Sequence, residues 1–188
     1  MLYASASQTV GPYLHIGLAG LYTHDLTQDA PELAEQRIAI EGRVVDGLGA
    51  PVPDAMIEIW QANAHGRYRH PDDGRDLPLT DGFTGFARVP TGPQGEFRIV
   101  TVKPGRVPGP NGTTQAPHLV VSVFARGLLK HLSTRMYFPD EAEANAQDWV
   151  LSQVPAQRRG TLVARAQGGA LHWNVALRGA DETVFFDY

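Results

Sequence analysis

Cysteine is absent from this 188-residue chain. Its absence excludes disulfides, thiolate metal sites and a cysteine nucleophile, and it suits a reducing compartment. No segment approaches the roughly 20 apolar residues that a membrane-spanning helix needs. Residues 1–10 also lack the basic and apolar regions of a secretion signal. We therefore expect a soluble, cytoplasmic protein that does not enter a membrane.

Basic charge and local metal-binding motifs are also scarce. The net charge is -4, and the only tight basic pair, Arg158-Arg159, is too short to neutralise a phosphate backbone. The seven histidines include no His-x-His or His-x-x-x-His pair, which argues against a locally built metal site. Phosphate-binding glycine loops, dinucleotide fingerprints and a Gly-x-Ser-x-Gly elbow are missing as well. We expect no nucleic-acid partner.

Short β-rich runs separated by glycine and proline occupy the chain from Arg37 onward. The segment Met56–Trp60 alternates apolar and polar residues, which predicts a strand with Ile57 and Ile59 on one buried face. Further strands are predicted at residues 38–45, 96–102, 118–124, 133–138, 161–165 and 171–177. This number of short strands predicts an all-β fold, specifically an antiparallel β-sandwich.

The chain is long enough for one all-β domain. We expect a single domain of residues 1–188. Residues 1–36 should form an extended N-terminal arm, and residues 37–188 should form the sandwich core. A short helix is predicted near the end of the arm, at residues 29–36, and another on the surface at residues 139–148. Residues 62–93 show little periodicity and predict a long ordered loop with a functional or interface role.

Several motifs occur in an order and spacing typical of one enzyme family. They are Gly42-Arg-Val-Val-Asp46, the run 51–68, Gly95-Glu-Phe and Thr101-Val-Lys-Pro-Gly105. On these motifs the chain resembles the intradiol ring-cleavage dioxygenases. Other stretches are similar to the α subunits of the two-chain members of that family, at residues 8–17, 116–118, 122–127, 134–138, 157–159 and 182–188.

The resemblance implies a reaction, a partner and a cofactor. In the two-chain enzymes the complex cleaves protocatechuate with O2 to 3-carboxy-cis,cis-muconate, a step of aromatic catabolism in the β-ketoadipate pathway. The implied partner is a β subunit in an obligate hetero-oligomer. The implied cofactor is Fe(III), which the β subunit holds with two tyrosinates and two histidines, donors suited to a hard cation.

The ligand pattern of the resemblance falls on four positions of this chain, and two of them have no donor atom. The tyrosine positions fall on Tyr68 and Val107, and the histidine positions fall on His118 and Val120. An arginine that stabilises the developing charge on the substrate aligns with Gln115. Because valine offers no lone pair, we expect this chain to bind no metal and to supply no catalytic residue. Tyr68 and His118 should then serve hydrogen bonding and packing.

The resemblance also implies that the α chain lines the substrate pocket of its β partner. The residues that match this role are Arg126, Thr9, Gly11 and Pro12. Glycine lacks a side chain and proline fixes its own backbone, so this part of the arm can approach a flat aromatic ring. Arg126 can offer a planar fork of donors to the carboxylate of the substrate.

Two other interpretations remain open on the sequence. The chain could be a self-sufficient intradiol enzyme in which Tyr13, Tyr137 or another histidine completes the iron shell. It could instead be a structural or binding β-sandwich module without a role in catalysis, such as a transthyretin-like domain. In that case Tyr68, His118 and Arg126 would have structural roles only.

Overall fold

A computed structural model describes residues 6–11, 17 and 22–187 of the chain. Within these residues the strands are β1 Arg37–Val45, β2 Met56–Trp60, β3 Phe86–Pro90, β4 Glu96–Val102, β5 Val107–Pro108, β6 Thr114–Gln115, β7 His118–Phe124, β8 Leu132–Tyr137, β9 Arg165–Gln167, β10 Ala170–His172 and β11 Val175–Ala176. The α-helices are α1 Ala142–Gln147 and α2 Trp149–Gln153. Short 3-10 helices span Pro31–Gln36, Pro110–Gly112 and Ala156–Leu162.

Two main sheets form the sandwich. One sheet has the order β3-β2-β7-β8, and all of its pairings are antiparallel. In the other, β1 pairs antiparallel with β4 along one edge and parallel with β10 and β11 along its other edge. The predicted all-β sandwich is confirmed, with two short parallel pairings that the sequence did not indicate.

Alternating side chains from both sheets fill the space between them. In β2, Ile57 and Ile59 are buried while Glu58 is only partly covered, as the period-2 pattern predicts. Alternating residues of the neighbouring strand β7 and of β1 and β4 in the facing sheet supply more of the core, including Ile40, Val44, Ile99, Val121 and Val123. Truncating one of these aliphatic side chains to alanine costs about 2–5 kcal/mol in a packed core.

A second, smaller core covers the outer face of the β3-β2-β7-β8 sheet near β8. Its buried members lie in or beside that sheet, the two α-helices and the 3-10 helix Ala156–Leu162, namely Ala116, Tyr137, Ala144, Leu151, Val154 and Leu162. The fully buried Asp148 holds these parts together. Its carboxylate accepts hydrogen bonds from Leu151 N at 2.8 Å, Tyr137 Oη at 3.0 Å and Ala116 N at 2.9 Å. Asp148 is thereby the N-cap of α2 and links this helix to Tyr137 of β8 and to Ala116, which lies between β6 and β7.

The predicted strand at 161–165 is wrong in most of its length. Residues up to Leu162 belong to a 3-10 helix instead, and β9 begins only at Arg165. Leu162 is buried in the second core, and the carbonyl of Thr161 accepts a hydrogen bond from Trp173 Nε1 at 3.0 Å. These tertiary contacts outweigh the local β propensity of the segment.

The predicted strand at 171–177 is interrupted at Trp173 and Asn174. Asn174 Oδ1 accepts a hydrogen bond from the backbone N–H of Arg43 at 3.0 Å, so a side chain replaces one rung of the ladder with β1. Gly42 makes the close approach possible, because a Cβ there would lie 1.8 Å from the Trp173 carbonyl oxygen.

Three further predictions hold only in part. Residues 62–93 do not form one loop, because Phe86–Pro90 is strand β3 with Ala87 and Val89 buried. The helix predicted at 139–148 is the shorter α1, and α2 follows it after the cap at Asp148. The predicted helix near the end of the arm is a 3-10 helix at Pro31–Gln36.

Candidate functional site

Two groups of predicted site residues lie at opposite ends of β7. We call Tyr68, Val107, His118 and Val120 the inner cluster, and Thr9, Gly11 and Arg126 the rim patch. His118 begins β7, whereas Arg126 follows its last residue, Phe124. Six residue steps at about 3.3 Å place the two ends of the strand about 20 Å apart. The rim patch therefore cannot contribute to a site centred on His118.

Tyr68 is held in the loop after β2 by an aromatic contact and a backbone hydrogen bond. Its ring stacks on Trp60 with centroids 5.7 Å apart and an interplanar angle of 14°. Its backbone N–H donates to Asp73 Oδ2 at 2.8 Å. Burial raises the pKa of the Tyr68 phenol, and the positive charges of Arg135 and Arg75 oppose this effect. The phenol is therefore protonated at neutral pH.

An ion pair between Asp73 and Arg75 stabilises the loop after β2 that contains Tyr68. Arg75 donates from Nε to Asp73 Oδ1 at 2.8 Å and from Nη2 to Asp73 Oδ2 at 2.6 Å. A further bond from Arg75 Nη2 reaches the carbonyl of Gly66 at 2.6 Å. The hydrogen bond from Arg75 holds the pKa of Asp73 well below its usual range. This bidentate ion pair fixes the backbone that carries Tyr68.

His118 is buried and forms a hydrogen bond with the backbone. The residue is 4% exposed, and its Nδ1 lies 2.8 Å from the carbonyl oxygen of Ala116. A carbonyl only accepts, so Nδ1 carries the proton and donates. Burial, assisted by the charge of Arg135, lowers the pKa of His118 to about 4. The imidazole is therefore neutral at pH 7.

Val107 and Val120 occupy the two positions at which the resemblance implies a tyrosine and a histidine ligand. Val107 pairs with Gln115 between β5 and β6, and both residues line a cavity of about 780 Å³ together with Tyr68. Val120 lies in β7, with Trp60 of β2 opposite it on one side. The structure thus brings Tyr68, Val107 and Gln115 to one cavity.

Arg135 is a member of this site that the sequence analysis missed. It lies in β8 directly opposite Val120 and is half-buried. Its Nη1 donates to Gln115 Oε1 at 2.7 Å. The available signal was the alternation in Thr134-Arg-Met-Tyr137, which puts a charged side chain on the same face of the predicted strand as Tyr137. Charged residues are rarely covered without a partner.

The rim patch contains an exposed arginine at a strand end. The side chain of Arg126 is 62% exposed, and its Nη2 lies 3.1 Å from Asp54 Oδ2. Asp54 is in the turn before β2 and has a positive φ of 64°. Arg126 is thus ion-paired on one side, while much of its guanidinium stays open to solvent or to another chain.

Thr9 fastens the arm to the loop that contains Arg126. Its Oγ1 donates to the carbonyl of Ala125 at 3.4 Å and accepts from the N–H of Gly127 at 3.0 Å. A side chain added at Gly11 would meet no atom of the described residues within 4 Å. The structure therefore brings Thr9 and Arg126 together as neighbours. Pro12 lies outside the described residues.

A family model described as dioxygenase matches residues 10–179. The chain is 46% identical to the protocatechuate 3,4-dioxygenase alpha chain of Burkholderia cepacia, over 99% of this chain and 98% of that one. The chain belongs to the dioxygenase family. It is also 40% identical to the alpha chain of the Pseudomonas putida enzyme, over 100% and 98% of the two chains. Identity to the Burkholderia cepacia beta chain is 37%, over 87% and 75%.

Solved structures of the family share this fold. An intradiol ring-cleavage dioxygenase from Tetranychus urticae superposes with a TM-score of 0.61 at 16% identity, over 95% of this chain and 98% of that one. Hydroxyquinol 1,2-dioxygenase from Pseudomonas putida gives a TM-score of 0.61 at 17% identity, over 93% and 63%. At these identities the likeness shows the sandwich architecture alone. Across the described residues no helix is long and apolar enough to span a bilayer.

The dioxygenase family is generally iron-dependent, but the donors of the inner cluster do not fit a ferric ion. Two of its four positions are valines, which remove one anionic oxygen and one nitrogen donor. Tyr137 lies beside His118, with ring centroids 5.8 Å apart, but its hydroxyl donates to Asp148 at 3.0 Å. Burial raises the pKa of Tyr137, which disfavours the phenolate that Fe(III) requires. Tyr13, the other tyrosine considered as a substitute ligand, lies outside the described residues.

Proposed function

We propose that this chain is the iron-free α chain of a protocatechuate 3,4-dioxygenase, in which it lines the substrate pocket of an iron-bearing β chain. The observation that carries the proposal is the separation of the two groups along β7. The inner cluster lacks a fitting donor set, and the exposed Arg126 lies beyond the opposite end of β7, about 20 Å from His118. A rim patch so far from the chain's own cluster is suited to serve a site on another chain.

Full-length similarity supports the same assignment. The chain aligns with two protocatechuate 3,4-dioxygenase alpha chains over nearly all of both sequences, and its identity to them is 46% and 40%. The match to a beta chain is lower in identity and covers only 75% of that longer sequence. Alpha and beta chains of one enzyme are both similar to this sequence, which supports a hetero-oligomer of two related sandwiches.

In the proposed complex the residues of this chain bind and orient the substrate. Arg126 presents N–H donors to the carboxylate of protocatechuate. Thr9 holds the arm against residues 125–127, and Gly11 leaves room for an aromatic ring. When bound in the β chain, Fe(III) supplies the activation of the ring toward O2 and hence the formation of 3-carboxy-cis,cis-muconate. This chain contributes positioning and water exclusion, and the complex works in the cytoplasm.

Co-expression with a β chain tests the proposal. The chain is purified alone and with a co-expressed β chain, and iron per chain, visible tyrosinate-to-iron absorption and oxygen uptake on protocatechuate are measured. We expect iron, colour and oxygen uptake in the complex, and neither iron nor colour in the isolated chain. Stoichiometric iron in the isolated chain would contradict the proposal. A chain that forms no complex and leaves dioxygenase activity unchanged would contradict it as well.

A second candidate is a β-sandwich module that contributes only to assembly. The ion pair between Arg126 and Asp54 at 3.1 Å favours it, because it gives the arginine a role within this chain. In that case Arg126→Ala would leave both the Michaelis constant for protocatechuate and turnover of the complex unchanged. A raised Michaelis constant supports substrate contact instead.

A further inference from the structure

The side chain of Arg135 shares a face of the sheet with the inner cluster. In the β7–β8 ladder, Val120 is directly opposite Arg135, and His118 is directly opposite Tyr137. Directly opposed residues project to the same side of a sheet, with Cβ atoms about 4.5–5.5 Å apart. Side chains two residues apart in one strand also share a face. Arg135 therefore projects from the position next to a missing ligand toward the face that carries the remaining histidine.

The guanidinium extends from that face toward the other missing ligand. Arg135 Nη1 donates to Gln115 Oε1 at 2.7 Å, and Gln115 is the ladder partner of Val107. One side chain thus lies opposite the first valine, on the face of the sheet that carries His118, and bonds to the ladder partner of the second valine.

We infer that the guanidinium of Arg135 occupies the centre of the inner cluster as a permanent internal cation that takes the place of a metal ion and keeps one from binding. An arginine remains charged at every pH at which the protein is folded, and its planar fork of donors serves oxygen and nitrogen acceptors. A ferric ion at the same place would be repelled by the like charge. The inference uses the ligand positions of the proposed function but concerns this chain alone.

The test restores the two missing ligands with and without the cation. The full-length double variant Val107→Tyr, Val120→His keeps Arg135. Two further variants add Arg135→Met, which keeps much of the volume without the charge, or Arg135→Lys, which keeps the charge. After growth with iron, iron per chain and tyrosinate-to-iron absorption are measured, and thermal melting confirms that each variant is folded.

Iron is expected only when the charge is removed. The double variant and the Arg135→Lys variant should be colourless and iron-free, and the Arg135→Met variant should bind stoichiometric iron with a visible band. Iron in the double variant would overturn the inference, and so would a folded Arg135→Met variant without iron. If the Arg135→Met variant does not fold, Arg135→Gln is used in its place, with the same expected result.

A crystal structure of the unaltered chain gives an independent test. The guanidinium should lie between the Tyr68 hydroxyl and the His118 ring. A guanidinium directed away from both would overturn the inference whatever the variants do. Neither measurement depends on the β chain, so a failure here is distinct from a failure to form an active complex.

Discussion

The two ends of β7 differ in burial and in how their polar groups are paired. At the start of the strand, the histidine, the half-buried arginine and Tyr137 are engaged in hydrogen bonds within the chain. Beyond its end, Arg126 is 62% exposed and has one ion pair with a half-exposed aspartate. The end that resembles a metal site is thus held by hydrogen bonds within the chain. The other end presents an exposed guanidinium that a second protein chain can contact.

The energetic consequences of the two ends differ in the same way. Removing one partner of a buried polar network leaves the other unsatisfied, which typically costs about 1–3 kcal/mol per group. An exposed ion pair such as Arg126–Asp54 contributes about 0–1 kcal/mol. Substitutions in the inner cluster should therefore change stability, whereas substitutions in the rim patch should change the activity of the complex.

The largest expected effect is a loss of stability in Asp148→Ala. This side chain is fully buried and accepts hydrogen bonds from Leu151 N, Tyr137 Oη and Ala116 N. Losing the helix cap and leaving two buried donors unsatisfied should lower the free energy of unfolding by about 3 kcal/mol or more. Urea denaturation of the isolated chain or of the complex measures the change.

The control for this variant is Asp187→Ala. Asp187 is ion-paired with Lys130, but its side chain is 90% exposed. Its removal should leave the urea midpoint within error of the natural chain. Equal destabilisation by both substitutions would show that the hydrogen bonds of Asp148 are not what holds the second core to β8.

The pH dependence of stability should be the next largest effect. The folded-state pKa of His118 is about 4, below the ordinary value of 6.5, because burial disfavours the charged imidazolium. The unfolded chain therefore takes up a proton between about pH 6.5 and pH 4 that the folded chain does not. The contribution is present above pH 6.5 and is lost progressively as the pH falls to 4, by about 3 kcal/mol in total.

Urea denaturation at pH 7 and pH 4.5 measures this loss, and His118→Gln should reduce the difference between the two pH values. His65→Gln is the matched control, because His65 is exposed. If the His118 and His65 variants lose equal stability on acidification, the buried imidazole is not the titrating group responsible.

Features of the fold that depend on local residue patterns could be predicted from the sequence, whereas features that depend on contacts between distant residues could not. The bounds of β2, β4 and β7 follow from their residue pattern, because alternation along a half-buried strand is a local property. The break between β10 and β11 does not, because it comes from a hydrogen bond between Asn174 and Arg43, which are far apart in the sequence. Non-local contacts of this kind leave no periodic signal.

The site shows the same limit. Tyr68, Val107 and Gln115, three positions singled out by the resemblance, line one cavity. Arg135 was not predicted, because nothing in its neighbours reveals that it lies opposite Val120. Its role depends on the register of two strands, and register is set by the whole sheet.

Arg126→Ala should act on the complex without affecting the fold. If the guanidinium contacts the substrate carboxylate, the loss of a charge-assisted hydrogen bond should raise the Michaelis constant for protocatechuate about 10- to 100-fold. The thermal midpoint should stay the same, since the side chain is 62% exposed. Steady-state oxygen uptake with the β chain present measures the change.

Arg98→Ala is the matched control for Arg126. The Arg98 side chain is 61% exposed and ion-paired with Glu41, but it lies in β4 of the other sheet. It should leave the Michaelis constant unchanged. If the two arginine variants behave alike, the effect of Arg126 is one of overall charge, and the rim patch has no special relation to the substrate.

The smallest expected effect belongs to Thr9→Ala. The substitution removes both hydrogen bonds between the Thr9 hydroxyl and residues 125–127, which loosens the arm beside Arg126. At about 0.5–1 kcal/mol for such bonds, the Michaelis constant should rise about two- to fivefold. Thr9→Ser keeps the hydroxyl and should restore the natural value. A serine variant as impaired as the alanine variant would mean that the methyl group of Thr9, rather than its hydrogen bonds, positions the arm.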